Sequence, residues 1–494
     1  MNAATSPIPV GPILDWLATD VSPDDENELS ALVRHVEDLE RSEPTSPDLH
    51  RCLDLLQIRS VSLARRFRQL LAKAALPLDI PLHRGATRLV TALGKLAGIY
   101  ETLASHTRST QKYNPHLDPQ LIATKGLALL GEQLTLSCLA GGGAPYDFWL
   151  KAHALALGGR QLQTQPRLSD LGEGPLSYYK YLLAFATSQP EGLTGPQICW
   201  LADYLDQSAG DGTLSTATPA EGDAHWFWLD PEQDNPPLAL SRRPPPPLDG
   251  LLFFSPAGLA PRATQLLDSL GQGGLPPDGA DSHLSTLEAC TLLRRTREIW
   301  IIPPRREYVR RRNQYAIEVC CGLNACWHAL QHPADSARHS SEWMVANESP
   351  TGYAVLHIAG EANNLSPGMP VLLRRTGETD WTLAVARWIR SDTPEQVEMG
   401  LEVLANSAEP VMIGFRGLEP PQPMQQALML PAVPSLGRQP TLLTPAGTSL
   451  SPQFILLAQK ANIYITQARV LNQTLQTPLI ELFQYELDPY PAKK

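Results

Sequence analysis

The apolar residues of this chain change their spacing near residue 313. Before that point, residues such as Leu29, Leu32 and Val36 recur every three or four positions, which is the pattern of an amphipathic helix. After it, apolar and polar residues alternate in short runs, as in 397–403, which is typical of a half-buried strand. The sequence therefore predicts an α+β multidomain fold, with a helical N-terminal region followed by an antiparallel β-structure.

Helical patterns fill most of the first 210 residues. The first pattern begins at Ser22-Pro23-Asp24, where a serine N-cap precedes a proline at the first helical position and an acidic residue. The later patterns are joined by short loops and have no fixed repeat length, so they predict a helical bundle or a repeat-like domain. These patterns span residues 53–74, 86–108, 120–140, 146–162, 177–187 and 194–206.

The next region mixes strand-like and helical segments. The aromatic stretch 224–230 and the apolar stretch 251–254 predict a hairpin that closes the helical domain. A helix is predicted over 286–297, because Ser285 is a suitable N-cap and Glu288, three residues later, completes a capping box.

Short strand patterns follow at intervals of about ten residues, which predicts an all-β barrel. They lie at 353–358, 371–374, 381–389 and 397–403. After a proline cluster at 420–423, the chain continues either as a second small β unit or as extra strands on the first. The runs of this tail lie at 428–430, 453–458, 462–471 and 479–485.

The proline runs and the change of period divide the chain into five predicted segments. These are a flexible N-terminus (1–21), a helical domain (22–210), a linker with a hairpin and a helix (211–300), a β-barrel (301–418) and a β-rich C-terminal extension (419–494).

Charge and cysteine content exclude several classes of protein. A formal net charge of −11 argues against a general binder of nucleic acid or membrane surfaces. Residues 1–20 lack the basic and apolar regions of a secretory signal, and no run of about 18 apolar residues would span a membrane. Seven cysteines without regular spacing do not form a disulfide framework. We therefore expect a cytoplasmic protein without membrane insertion.

Arginine is concentrated in one short stretch of this acidic chain. The chain has 40 lysines and arginines, and a fifth of them lie within 19 positions. Such crowding of like charge is stabilised when an anion lies among the guanidinium groups, whose planar fork binds phosphate bidentately and stacks on bases. The residues are Arg294, Arg295, Arg297, Arg305, Arg306, Arg310, Arg311 and Arg312.

Two motifs in this region resemble those of the PilZ domain family. Arg306 and Arg310 stand four positions apart, as in the first PilZ signature. The second signature, Asp or Asn, one residue, Ser, two residues, Gly, is matched by Asn347, Ser349 and Gly352, immediately before a strand. The strand order after residue 352 also resembles the family. The stretch between the two motifs is longer than is usual for a PilZ domain.

The resemblance implies an antiparallel PilZ-like β-barrel that binds cyclic di-GMP, a ligand with two phosphates and two guanines. In the family, the two arginines contact phosphates and guanines, the Asn contacts a guanine edge, the Ser supports the loop or a phosphate, and the Gly allows close approach of the backbone. The residues implied in binding are Arg306, Arg310, Asn347, Ser349 and Gly352, with Arg305 and Arg311 as additional candidates.

The function implied is a cyclic di-GMP receptor that transmits binding at the barrel to the helical region, which engages an unknown protein partner. No catalytic motif, cofactor fingerprint or common zinc pattern occurs, including around Cys320, Cys321, Cys326 and His328, so we expect no enzyme, no cofactor and no metal. The alternative is a PilZ-like scaffold that binds proteins but no ligand. A binder of nucleic acid through the arginines ranks third.

Overall fold

The structure is a computed structural model whose chain forms two compact units. The first unit contains residues 1–74, 78–190 and 195–306, and the second contains 75–77, 191–194 and 307–494. The structure describes residues 10–40, 47–109, 118–159, 172–220, 222–277, 284–303, 305, 308–362, 364–415, 423–432, 439–450, 453–459 and 463–487.

Ten helices of the first unit are described, and the predicted helical patterns lie on them. They are α1 (Gly11–Leu17), α2 (Asp25–Glu40), α3 (Pro47–Lys73), α4 (Ile80–Ser109), α5 (Pro119–Leu139), α6 (Phe148–Leu157), α7 (Glu173–Thr187), α8 (Gly195–Ser208), α9 (Ala260–Gly271) and α10 (Thr286–Ile301). The helices α1 and α9 were not predicted, and α1 falls within the segment 1–21 that was expected to be flexible. The end of the predicted helix 146–162 lies outside the described residues.

The centre of the helical bundle is α5, which is apolar on nearly all sides. It packs against α3, α4, α6 and α7, and these neighbours bury most of its side chains. Its N-cap is Asp118, whose carboxylate accepts from the Gln120 backbone. The predicted capping box of Ser285 and Glu288 is present at the start of α10. None of the described helices is both long and apolar enough to cross a membrane.

A small four-stranded sheet lies between α8 and α9 in the chain. Its strands are β1 (Thr213–Ser215), β2 (Phe227–Leu229), β3 (Leu238–Ala239) and β4 (Leu252–Ser255), in the spatial order β1-β4-β2-β3. The two segments predicted as a hairpin do pair with each other, since β2 and β4 are antiparallel neighbours.

The second unit contains two closed six-stranded antiparallel barrels. The strands of the first barrel are β5 (Ala316–Cys321), β6 (Ser341–Ser349), β7 (Gly352–Ala359), β8 (Pro370–Arg375), β9 (Thr382–Thr393) and β10 (Gln396–Ala405), in the closed order β10-β7-β6-β5-β8-β9. The predicted α+β fold class is confirmed. A helix, α11 (Leu323–Gln331), occupies the long stretch between the two motifs, which explains its length.

The β-rich tail forms the second barrel. Its strands are β11 (Glu409–Gly414), β12 (Gln425–Leu430), β13 (Thr441–Pro445), β14 (Gln453–Gln459), β15 (Ile463–Gln476) and β16 (Ile480–Leu487). Numbered from its own first strand, each barrel has the same pairs of neighbours: 1–2, 2–3, 3–6, 6–5, 5–4 and 4–1. The strand β11 precedes the predicted boundary at 418 but pairs within this second barrel.

The helix α11 packs between the two barrels. One apolar cluster includes Cys326 of α11, Leu372 and Leu383 of the first barrel, and Leu428 and Leu482 of the second. The indole N–H of Trp327, on the same helix, donates to the carbonyl of Val411 at 2.8 Å. The two barrels therefore share part of their apolar core, apart from the separate interior of each.

Candidate functional site

The second motif folds into the tight hairpin that joins β6 to β7. Ser349 ends β6, Gly352 begins β7, and the two residues are directly paired. The Ser349 hydroxyl donates to the Gly352 carbonyl at 3.3 Å. A Cβ on Gly352 would overlap the carbonyl oxygen of Leu401 on β10, so the close approach of these strands requires glycine.

The first motif meets this hairpin through Arg310. Its guanidinium donates to the side-chain oxygen of Asn347 at 2.9 Å. The Arg310 side chain is exposed, and Asn347 lies half-buried near the end of β6. One charged donor and one amide thus lie together beside the turn, where a solute can reach them. A guanidinium and an amide can bind a phosphate oxygen and the edge of a purine respectively.

The backbone next to Arg310 is held against β6. Arg311 and Glu348 exchange two backbone hydrogen bonds, of 2.8 and 2.9 Å. The Glu348 carboxylate also accepts hydrogen bonds from the Asn313 amide and the Tyr315 hydroxyl. Glu348 therefore attaches the arginine-bearing segment to the hairpin through both its backbone and its side chain.

Ionisation supports this attachment. The hydrogen bond from Tyr315 is the main cause that lowers the pKa of Glu348. Burial, together with the neighbouring Glu348, raises the pKa of Tyr315 to about 12. At neutral pH the carboxylate is therefore charged and the hydroxyl keeps its proton. The Arg375 guanidinium lies 4.3 Å from the centre of the Tyr315 ring, as in a cation–π pair.

Sequence reasoning missed Glu348, Asn313, Tyr315 and Arg375. The sequence held only a weak signal for Glu348. It stands between the motif residues Asn347 and Ser349 on one strand, and side chains alternate along a strand, so Glu348 points to the opposite side from both. Its partners lie 33 and 35 residues away, and Arg375 is on another strand. Only pairing of the strands brings these residues together.

The structure places the predicted binding residues as follows. It brings together Arg310, the Arg311 backbone, Asn347, Ser349 and Gly352. Arg305 is exposed, and Arg306 lies outside the described residues.

The upstream arginines of the predicted cluster belong to the other unit. Arg295 donates to the Gln189 carbonyl at 3.3 Å, and Arg297 to the Thr264 hydroxyl at 3.4 Å. Both belong to α10, together with Arg294. The eight arginines of the sequence cluster are therefore divided between the two units.

The cysteines near the first motif are core residues. Cys320 and Cys326 are buried, and the Cys326 thiol donates to the Cys320 carbonyl at 3.4 Å. Burial raises the pKa of Cys320 and of Cys321 to about 12, so these thiols stay protonated. Within the described ranges, no group of three or more histidine, cysteine or acidic residues is arranged to hold a metal ion.

Comparison with known sequences agrees with this architecture. Three family models match in order: the N-terminal domain of the cyclic-di-GMP receptor FimW over residues 12–220, its middle PilZ domain over 328–410 and its C-terminal β-barrel domain over 415–488. The resemblance to the PilZ family that the motifs predicted is therefore confirmed for residues 328–410. The PilZ match includes Asn347, Ser349 and Gly352 but begins after the arginine motif.

One characterised relative is similar to the chain over a limited stretch. It is the cyclic-di-GMP receptor FimW of Pseudomonas aeruginosa, which is 32% identical over 102 residues. These residues cover 20% of this chain and only 17% of the relative. No solved structure matches the chain significantly.

Proposed function

We propose that this chain is a cyclic di-GMP receptor and not an enzyme, and that the ligand binds on the outer face of the PilZ barrel beside the β6–β7 hairpin. One observation carries the proposal: the Arg310 guanidinium lies 2.9 Å from the Asn347 amide oxygen, next to Ser349 and Gly352. The name of the relative, and the three matching family models, support the same ligand.

Each group at the hairpin has a role that suits a purine dinucleotide. Arg310 binds a phosphate oxygen and exposes a flat cation to a guanine, while Asn347 supplies an amide to a guanine edge. Ser349 supports the turn or donates to a phosphate. Gly352 keeps the strands close, since a side chain there would overlap β10. Arg306 completes the arginine pair in this proposal.

Two further arginines extend the proposed site. Arg311, next to Arg310 in the second unit, is exposed, so that its charge is available to a second phosphate, and Arg305 stays the additional candidate that the sequence suggests. The carboxylate next to Asn347, that of Glu348, is hydrogen-bonded to Asn313 and Tyr315. Its charge is thus used to hold the arginine segment, and the local field still favours an anion although the whole chain is acidic.

We also propose that binding is transmitted to the helical unit, which engages a protein partner. Only eight residues, 302–309, separate the end of α10 from Arg310, so a movement of the arginine segment acts on that helix through a short connection. A ligand shifts such an equilibrium only when it contacts the two arrangements differently. Residues 311–313 are attached to β6, so Arg310 lies at the end of the part of the arginine segment that is held against the barrel. Cytoplasmic location stays a prediction.

The test is calorimetric titration of the full chain with cyclic di-GMP. We expect binding by the wild type, and loss of binding in Arg310→Ala. Arg338→Ala is the matched control, because Arg338 is another exposed arginine of the same unit, paired only loosely with Asp335 at 3.8 Å. Absence of heat in the wild type would refute the receptor and favour the ligand-free scaffold. An equal loss of binding in Arg338→Ala would mean that binding depends on the total positive charge of the unit and not on Arg310 itself.

Transmission has a separate test. Small-angle scattering of the full chain with saturating cyclic di-GMP should differ from that of the free chain, and the difference should be absent in Arg310→Ala. Identical scattering curves from a wild-type chain that binds the ligand would refute the transmission and leave the binding site intact.

A further inference from the structure

Four residues form one row across the outside of the PilZ barrel. Asn347 of β6 pairs with Ala354 of β7, Ala354 pairs with Gly400 of β10, and Gly400 pairs with Trp388 of β9. Directly opposed residues on neighbouring strands point to the same face of a sheet. The row therefore connects a residue of the candidate site, through two small residues, to a tryptophan on a different strand.

The neighbouring row shows which face this is. The next pairs are Val355 with Met399 and Met399 with Ile389, and all three residues are buried in the barrel core. Because side chains alternate along a strand, Ala354, Gly400 and Trp388 point outward. Trp388 is partly exposed, in contrast to the fully buried Trp343 of the same barrel.

Two β-bulges flank the row. The register shifts between Val345 and Asn347 on β6, and between Gly400 and Leu401 on the β9–β10 ladder, where Arg387 is the extra residue. A bulge increases the local twist and changes the direction of the adjacent side chain. Both end residues of the row, Asn347 and Trp388, directly follow such an extra residue.

The indole of Trp388 lies across Gly400. A Cβ built on Gly400 would overlap three atoms of the pyrrole ring, so the ring occupies the space that any other residue's side chain would fill. The methyl of Ala354, next in the row, is only 1% exposed, which means that neighbouring side chains lie over it. Two strand spacings separate Gly400 from Asn347, so the ring lies about 10 Å from the Asn347 backbone.

We propose that Trp388 is a second contact for the ligand and stacks on one guanine while Asn347 and Arg310 hold the other end of the molecule. This inference rests on the proposed cyclic di-GMP function and adds a residue outside both sequence motifs. A purine presents a flat π-face, for which an exposed indole is a suitable platform. The Arg390 guanidinium, 5.7 Å from the Trp388 ring, adds positive charge beside it.

The two carboxylates of β10 on this face each lie beside an arginine of β9, which offsets their repulsion of the ligand's phosphates. Glu402 forms an ion pair of 2.6 Å with Arg387, and Glu398 stands directly opposite Arg390. The outer face of β9 and β10 is therefore close to neutral, and the arginine segment at the other end of the row gives it a positive side. A dianionic ligand with two bases fits that distribution of charge.

The test is affinity for cyclic di-GMP in the full chain. We expect Trp388→Ala to weaken binding about 5- to 150-fold, the range for loss of one stacked base, and Trp388→Phe to keep most of the affinity. Trp388→Leu covers Gly400 with an apolar group but cannot stack, so it should bind as poorly as the alanine variant. Tyr464→Ala, which removes an exposed aromatic residue from the second barrel, should bind like the wild type.

A second readout reports directly on the indole. Saturating ligand should quench part of the fluorescence of the chain's ten tryptophans, and Trp388→Phe should lose that quenching while it still binds. Wild-type affinity in Trp388→Ala or Trp388→Leu, together with loss of binding in Arg310→Ala, would refute the stacking role and leave the receptor function standing. A wild-type chain that does not bind cyclic di-GMP would refute both.

Discussion

Glu348 gives the sharpest test of how the barrel presents its arginines. Removal of its carboxylate weakens ligand binding if the carboxylate positions Arg310, and strengthens binding if the carboxylate only repels phosphate. Its carboxylate accepts hydrogen bonds from Asn313 and Tyr315 and so holds the segment that carries Arg310. In Glu348→Ala both side-chain hydrogen bonds are lost, and the backbone pair with Arg311 remains. If the attachment positions Arg310, the variant should bind cyclic di-GMP more weakly than the wild type.

The magnitude follows from the two lost hydrogen bonds. Each hydrogen bond to a charged group contributes about 1.5–3 kcal/mol in a buried setting. Glu348 is partly exposed, so solvent screening reduces the pair to about 1–2 kcal/mol in total. When that free energy no longer holds the segment, the fraction of chains competent to bind falls, and the apparent affinity should fall roughly 5- to 30-fold.

Calorimetry on Glu348→Ala, Glu348→Gln and Glu342→Ala decides between the explanations. Glu342 is an exposed acid on the same strand, so Glu342→Ala removes the same charge without loosening the segment. Glu348→Gln keeps an acceptor oxygen and should fall between the wild type and Glu348→Ala. Tighter binding by Glu348→Ala would refute the positioning role, because it would mean that the carboxylate acts only by repelling phosphate.

The same residue predicts a dependence on pH. The fold lowers the pKa of Glu348, so its stabilising contribution is complete above the ordinary value and is lost as the pH falls through the lowered one. Glu348→Gln should therefore be less stable than the wild type in urea at pH 7, and the difference should shrink as the pH falls below the ordinary range of carboxyl groups. A difference that persists unchanged in acid would mean that ionisation of Glu348 is not its cause.

Two further substitutions test the packing inside each of the two units. Gly352→Ala should destabilise the second unit by about 1–3 kcal/mol in thermal unfolding, because its methyl would overlap β10, whereas Gly414→Ala, which meets only ordinary contacts, should not. Arg59→Ala should destabilise the helical unit by about 3–5 kcal/mol, since it leaves the buried Glu28 without its partner. Arg88→Ala, which breaks a more exposed ion pair, should cost at most about 1 kcal/mol, and equal losses would refute the role of burial.

The kind of each element could be predicted from the sequence, because local periodicity reports which face of an element is buried. The spacing of leucines located the helices α2 to α8, and alternation located β7 to β10. The helices α1, α9 and α11 and several strands, among them β5 and β6, were missed. The β5 sequence, Ala316–Cys321, is partly buried on both faces, because α11 covers one side and the barrel core the other, so its pattern does not alternate cleanly.

The spacing of the second motif also predicted correctly which of its residues lie close together in the fold. Asn347, Ser349 and Gly352 fall within six positions, so that a single tight turn brings them together whatever the rest of the chain does. The separation of Arg310 from Asn347 is 37 residues, and the intervening helix α11 could not be read as an insertion from spacing alone. That Arg310 and Asn347 lie close together was implied only by the family resemblance. Their hydrogen bond of 2.9 Å agrees with that expectation.

The sequence by itself determined the order of helices and strands and the residue types at the hairpin, since both depend on neighbours within a few positions. Tertiary structure decided the register between strands. It closed the tail into a second barrel with the connectivity of the first, tied Glu348 to Tyr315, and aligned Trp388 with Asn347 across four strands. Register depends on pairings between distant segments and on bulges, and a shift of one residue would turn every such side chain to the other face.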